Sequence, residues 1–247
     1  MALNSTIEWT DATWNPVTGC TQVSRGCDHC YALAFAERFR GVPNHPYEQG
    51  FDLKLWPQRV ELPLQWKKPK RIFVNSMSDL FHADIPDEFI FRIFDTMVRA
   101  DWHTYQILTK RPQRLARMAS ALPWTDHIWA GVSVESNEVA WRADFLRRVP
   151  SAVRFISAEP LLGPIDQLRL DGLHWVITGG ESGVRHRPCD PDWVRGVRDR
   201  CQEAGVLYFH KQWGGRTSKA GGRELDGRTW DEIPVVGSRL EAAQVGA

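Results

Sequence analysis

A chain of 247 residues with 43% hydrophobic and 25% charged side chains can bury a sizeable core, and single α/β barrels commonly reach this length. Its formal charge of +1 exerts no global pull toward nucleic acid or a membrane surface, leaving only local basic patches to consider. No run approaches the roughly 18 apolar residues of a membrane span, and "MALNSTIEWTDATWNP" lacks the order of a secretory signal, so a cytoplasmic protein with reduced thiols and no membrane partner is expected.

In chain order, "TWNPVTG" reads as the first strand, followed at once by "GCTQVSRGCDHCYA", which sets Cys20, Cys27 and Cys30 on one polar loop. The stretch from Arg40 to Pro69, with five prolines and no period, reads as an excursion over the edge of the fold. From residue 71 a repeated pattern begins. The runs "RIFVNSM", "TYQILT", "HIWAGVSV", "VRFISA", "LHWVITGG" and "VLYFHKQ" are rich in Val, Ile and aromatic residues, as buried strands are. After the first of them, "DIPDEFIFRIFDTMVRA" puts Phe89, Ile90, Ile93, Phe94, Met97 and Val98 on one helical face, with Pro86 at its start. A rougher stripe of Val139, Trp141, Phe145, Leu146 and Val149 follows "HIWAGVSV". Asp190 and Pro191 read as cap and first turn of a later helix that Gly205 stops, whereas "EPLLGPIDQLRLDG" reads as a long loop. Residues 220–234 read as a C-terminal loop and candidate lid, and residues 236–247 as a mobile tail. The twelve tryptophans read mostly as core packing.

Alternating strands and helices imply parallel strands with right-handed crossovers. About seven strands suit an α/β fold built as a partial or full (β/α) barrel, with a doubly wound sheet as the alternative. One domain over residues 1–235 is expected, with the cysteine loop at 19–31. In either architecture ligands gather at the carboxyl ends of the strands. Those ends carry Ser76, Ser78 and Asp79; Thr109, Lys110 and Arg111; Ser133 and Glu135; Ser157 and Glu159; Gly179, Gly180, Glu181 and Ser182; and His210, Lys211 and Gln212. One polar strand end is merely where a strand meets water, but this succession with both charge signs reads as the rim of a site. The cysteine loop belongs to the same rim.

Five cysteines, an odd number, are a poor start for a disulfide framework. Four readings then compete for the cluster. Core packing suits free cysteine, but Arg25, Asp28 and His29 make this loop polar. A redox Cys27-x-x-Cys30 pair is a second reading. Zinc is a third, its tetrahedral set completed by His29, His82, His186, Cys189 or Cys201. The fourth is an iron–sulfur cluster, for which thiolates are the standard ligands. Three cysteines would hold three irons of a four-iron cube and leave the last iron open.

The cysteine loop after a first barrel strand resembles that of the radical S-adenosylmethionine enzymes. The resemblance implies a [4Fe-4S] cluster on Cys20, Cys27 and Cys30, with S-adenosylmethionine on the open iron, cleaved on reduction to a 5′-deoxyadenosyl radical. It also implies a reducing protein partner such as a flavodoxin or ferredoxin. The spacing here is Cys-x6-Cys-x2-Cys, where that superfamily usually has Cys-x3-Cys-x2-Cys. His29 stands where an aromatic residue is common, and "NSMSD" where Gly-Gly-Glu is common. Over nearly its full length the chain also resembles an uncharacterised family of phage and bacterial three-cysteine proteins associated with mobile elements. That resemblance rests on "TIEWTDATWNPVTGC", "FVNSMSDLFH", "ILTKRP", "GVSVE", "EPLLGPI", "GGESG" and "KQWG".

Under the resemblance, Ser78 and Asp79 are the expected acceptors for the amino group of the cofactor, and Asp79 alternatively caps the following turn. Ser133, Glu135 and Lys110 are expected at the ribose and carboxylate of the cofactor. Lys110, Glu159 and Glu181 are the candidate catalytic groups facing substrate. The basic runs "TKRPQR" and "GVRHRP" near the rim favour a phosphate-bearing substrate, a nucleotide or nucleic acid, and "GGESG" is a candidate phosphate cradle. The rival from another class is a zinc-stabilised, non-catalytic nucleic-acid-binding protein.

Overall fold

Seven short strands pair side by side in sequence order, and every pair is parallel. The computed structural model describes residues 4–235, so the tail expected at 236–247 lies outside the described residues. The strands are β1 Ala12–Trp14, β2 Arg71–Val74, β3 Thr104–Thr109, β4 Ile128–Ser133, β5 Arg154–Ala158, β6 Trp175–Gly179 and β7 Leu207–Gln212. Helix α1 (Tyr31–Glu37) follows the cysteine loop, α2 (Asp87–Arg99) joins β2 to β3, and α3 (Pro112–Met118) joins β3 to β4. Then α4 (Arg142–Leu146) joins β4 to β5 and α5 (Pro191–Glu203) joins β6 to β7. Between β5 and β6 the chain crosses as a loop, as "EPLLGPIDQLRLDG" suggests. Sequential parallel order with helical crossovers makes this a partial (β/α) barrel, since β1 and β7 do not pair.

Strand alternation splits the core in two. Outward residues such as Trp14, Ile72, Tyr105, Ile107, Val132 and Val176 pack beneath the helices. Inward residues Phe73, Trp129, Phe155, Trp175, Ile177 and Phe209 form a second, largely aromatic cluster. Trp9 joins it from the N-terminal segment, its ring 4.8 Å from Phe73 and 6.3 Å from Trp175. This aromatic cluster packs the barrel interior beneath the carboxyl-end mouth.

Helix α2 follows the expected stripe: Phe89, Ile90, Ile93, Phe94 and Met97 are buried, with Asp87 and Glu88 in the first turn where the helix dipole favours them. Asp190 caps α5 by accepting from the Asp192 N–H, and Gly205 beyond its end adopts φ +66°.

Three expectations need correction. The run "TWNPVTG" is not one strand. Pro16 has no N–H to give a ladder, and Val17–Thr18 turns away to pair antiparallel with Lys54–Leu55 of the proline-rich excursion. The stripe after β4 is also only partly helical: α4 spans five residues, Trp141 is 41% exposed, and Arg142 is buried instead. Residues 220–234 are not a lid. Leu225 and Trp230 are buried in the outer core, Asp231 bridges Phe209 antiparallel, and the Tyr208 N–H donates to the Glu232 carboxylate at 2.7 Å. The segment therefore covers the free edge of β7, which would otherwise expose unpaired backbone groups.

Candidate active site at the barrel mouth

Inward positions continue past the strand ends into the mouth: Lys110 lies two residues beyond Leu108, Glu159 beyond Ser157, and Glu181 beyond Gly179. With the cysteine loop they enclose a cavity of about 560 Å³, in the range of small-molecule and cofactor sites. Cys20, Cys27 and Cys30, all half-buried free thiols, lie on its wall. Ser78, Asp79, Lys110, Ser133, Glu159 and Glu181 lie there too. Glu135 does not; it sits behind the cysteine loop.

The loop enters through Gly19, at φ +84°, where an added Cβ would meet the Asp52 carbonyl oxygen at 2.2 Å. Ser78 Oγ donates to the Gly19 carbonyl at 2.6 Å and so ties this entry to the end of β2. Three strand ends then hold the loop from behind. From β3, Arg111 donates to Cys20 Sγ at 3.3 Å, to the Thr21 carbonyl at 2.9 Å and to Asp79 Oδ2 at 3.0 Å. From β4, Glu135 accepts from Ser24 Oγ at 3.1 Å, and Gly26 lies so close that a Cβ there would meet Oε1 at 2.3 Å. From β6, Glu181 contacts His29 Nδ1 at 2.8 Å, while Arg187 donates to the Arg25 carbonyl at 3.0 Å and pairs with Asp28 at 3.3 Å.

Four carboxylates at and behind the mouth each meet a basic partner. Asp79 accepts from Thr109 Oγ1 at 2.6 Å, the Phe81 N–H at 3.0 Å, the Lys110 N–H at 3.0 Å and Arg111 at 3.0 Å. Two bonds to each oxygen fill the acceptor sites of a carboxylate, which leaves none for the amino group expected of Asp79. Glu135 meets Arg142 Nη1 at 3.0 Å and Lys110 Nζ at 3.6 Å. Lys110 Nζ also donates to Ser133 Oγ at 3.2 Å. Glu159 pairs with Lys211 at 2.9 Å and accepts from Ser157 Oγ at 3.2 Å. Burial alone would raise Glu181, but hydrogen bonds from Arg187 and His29 hold its carboxyl below the usual carboxylate range. Burial pushes the Cys20 thiol up to about 11, reinforced by the Asp79 charge and opposed by Arg111.

Of the candidate fourth ligands, Cys189 and Cys201 lie off the cavity wall, and the histidines have protein partners, His29 with Glu181 at 2.8 Å. Cys201 is fully buried on α5 and pushed up to about 12 by burial. Cys189 packs against the outer core, with burial pushing it up to about 11. His82 holds Thr21 Oγ1 at 2.9 Å, and the His186 ring faces the Gly183 carbonyl at 2.9 Å. Among the described residues no three His, Cys, Asp or Glu side chains converge where a single ion would sit. A four-iron cube makes a different demand: each thiolate takes its own iron, so the ligands surround a volume rather than meet at a point.

Two groups of the site carry no sequence signal. Arg142 falls within the weak apolar stripe of α4, and Arg187 lies in a loop whose basic residues read only as phosphate contacts. Their roles appear only where distant segments meet.

The family described as "Protein of unknown function (DUF5131)" matches residues 4–234. Its description names no phage. No curated protein matches the chain in sequence. Among solved structures, spore photoproduct lyase complexed with dinucleoside spore photoproduct is 12% identical with a TM-score of 0.47, over 77% of this chain and 61% of that one. The chain thus spans about three fifths of that protein.

Proposed function

This chain belongs to the DUF5131 family, and we propose that it is a radical S-adenosylmethionine enzyme acting on a nucleotide or nucleic acid. The observation that carries this reading is the delivery of Cys20, Cys27 and Cys30 to the wall of one cavity at the mouth of a parallel partial barrel. The fit is supported by the loop's bracing through Arg111, Glu135 and Arg187, which orders it through protein contacts alone. A tie to phage or mobile elements, and supply of electrons by a flavodoxin or ferredoxin, belong to the same proposal.

Cys20, Cys27 and Cys30 would hold the [4Fe-4S] cluster. When bound, cluster and S-adenosylmethionine together supply a 5′-deoxyadenosyl radical that removes a hydrogen atom from substrate. Ser78, Lys110 and Ser133 face the cavity and would bind the cofactor, the Lys110 ammonium toward its carboxylate. Asp79, with two bonds to each oxygen, and Glu135, off the cavity wall behind Gly26, would brace the loop instead of touching the cofactor. Glu159 and Glu181, each paired with a basic neighbour, would orient substrate across the mouth.

The test is anaerobic reconstitution. Iron and sulfide at about four each per chain, followed by reductant-dependent formation of methionine and 5′-deoxyadenosine, support the reading. Protein that takes up zinc alone, or that holds a cluster yet never cleaves S-adenosylmethionine when reduced, sinks it.

A further inference from the structure

The loops that follow β6 and β7 are stitched into one unit. The Gly180 N–H donates to the Gln212 carbonyl at 2.8 Å, the Gly215 N–H to the Glu181 carbonyl at 2.9 Å and the Gly183 N–H to the Gly215 carbonyl at 2.9 Å. Close approach demands the glycines: a Cβ on Gly180 would lie 1.9 Å from the Trp213 carbonyl oxygen, and one on Gly214 would lie 2.2 Å from that of Glu181. Ser182 and Ser218 bring this double loop to the cavity wall.

Its chemistry is that of an anion site. Residues 182–189 and 211–223 hold basic side chains and no carboxylate. Arg187, Lys211 and Arg223 are spent on Glu181, Glu159 and Asp231. Arg185, Arg216 and Lys219 are exposed and form no ion pair among the described residues. They sit beside Ser182 and Ser218 on the two stitched loops, at the rim rather than on the cavity wall itself.

A buried polar group on the same loop suits the ribose hydroxyl or base N–H of a nucleotide, since a phosphate only accepts hydrogen bonds. Gln212 is 5% exposed on the cavity wall and donates through Nε2 to the Gly180 carbonyl at 3.3 Å and to Ser182 Oγ at 2.7 Å. A carbonyl can face only the NH₂ of the amide, which fixes its orientation. Ser182 Oγ therefore accepts, and its own proton is free to donate into the cavity. Gln212 Oε1 is left buried without a partner, as an acceptor for a ligand N–H or O–H.

We propose that this double loop is a phosphate-binding subsite, built to hold the phosphate ester of a nucleotide or of a short single strand. Glycine loops after the last strands of a barrel suit this task, because bare backbone admits the anion closely. The subsite would serve the radical chemistry proposed above, but its phosphate binding does not depend on the cluster.

The experiment measures binding of a 5′-mononucleotide and of a ten-residue single-stranded oligonucleotide at several salt concentrations. It compares the wild-type chain, the Arg185→Ala/Arg216→Ala/Lys219→Ala variant, Ser182→Ala, and a Lys67→Ala/Lys68→Ala control. The substituted cations are exposed and unpaired, so melting should not change. The triple variant should bind about tenfold or more weakly and lose about 2 units of salt slope on the oligonucleotide. Ser182→Ala should weaken binding several-fold, and the control should match wild type. Loss with the mononucleotide identifies a terminal phosphate, and loss with the oligonucleotide alone identifies a backbone phosphodiester. Repeating the titration on Cys20→Ala/Cys27→Ala/Cys30→Ala separates the two readings, since binding that survives there supports the subsite even if no cluster assembles. Failure of the wild-type chain to bind either probe, or equal binding by the triple variant, overturns the proposal.

Discussion

Glu135 and Arg142 form an ion pair with both side chains about 3% exposed, Oε2 to Nη1 at 3.0 Å, and the same carboxylate reaches across to Ser24 of the cysteine loop. Removing one member leaves the other charge buried and unpaired. Arg142→Ala should therefore cost about 3–5 kcal/mol in urea unfolding. Ser24→Ala leaves the ion pair intact but removes the bond from the cysteine loop to Glu135. It should lower iron retention during reconstitution with little change in the melting temperature. Full iron retention in that variant would show that the pair serves the fold alone.

Single replacements of Cys20, Cys27 or Cys30 by Ala should each abolish iron and sulfide uptake. Cys189→Ala and Cys201→Ala should leave uptake intact, with Cys201→Ala costing about 1 kcal/mol for its buried side chain. Iron analysis after anaerobic reconstitution checks both, and equal loss in the second pair would reassign the ligands.

Gly180→Ala sets a methyl against the Trp213 carbonyl, which is backbone and cannot swing aside. Destabilisation of about 1–3 kcal/mol is expected, along with weaker binding of phosphate-bearing probes. Denaturant melts beside a binding titration would separate the two effects.

Acid should weaken the fold through His210. Burial drives its pKa from 6.5 down to about 4, with the Arg223 charge adding to the effect. The unfolded chain then takes up a proton that the folded chain refuses, so stability falls as the pH drops from about 6.5 toward about 4. A full shift of this size is worth about 3 kcal/mol. Burial lowers His82, His103 and His174 in the same direction. Unfolding free energies measured at pH 7 and 4.5 should show the loss, and His210→Leu should have a shallower dependence. An unchanged slope in that variant would remove His210 as a cause.

The sequence by itself determined the architecture. β-Branched and aromatic runs separated by amphipathic or loop crossovers specify parallel strands, and six of the seven strands of the sheet fall within the runs so identified, while β1 only overlaps the first. It also determined which residues reach the mouth, because strand alternation carries Lys110, Glu159 and Glu181 past the inward positions of their strands. The three cysteines were legible as a group because their spacing is local. What only the tertiary structure decided is how those groups are employed. Asp79 reads in sequence as a cofactor acceptor or a turn cap, but four donors converge on it from β2's exit and the end of β3. Glu135 reads as a cavity residue, but Gly26 of a distant loop closes over it. Arg142 sits within an apolar stripe, and Leu225 and Trp230 sit in a segment that reads as loop, yet all three are buried. In each case the deciding partner lies far along the chain, where local period and propensity carry no information and only packing and charge neutralisation choose.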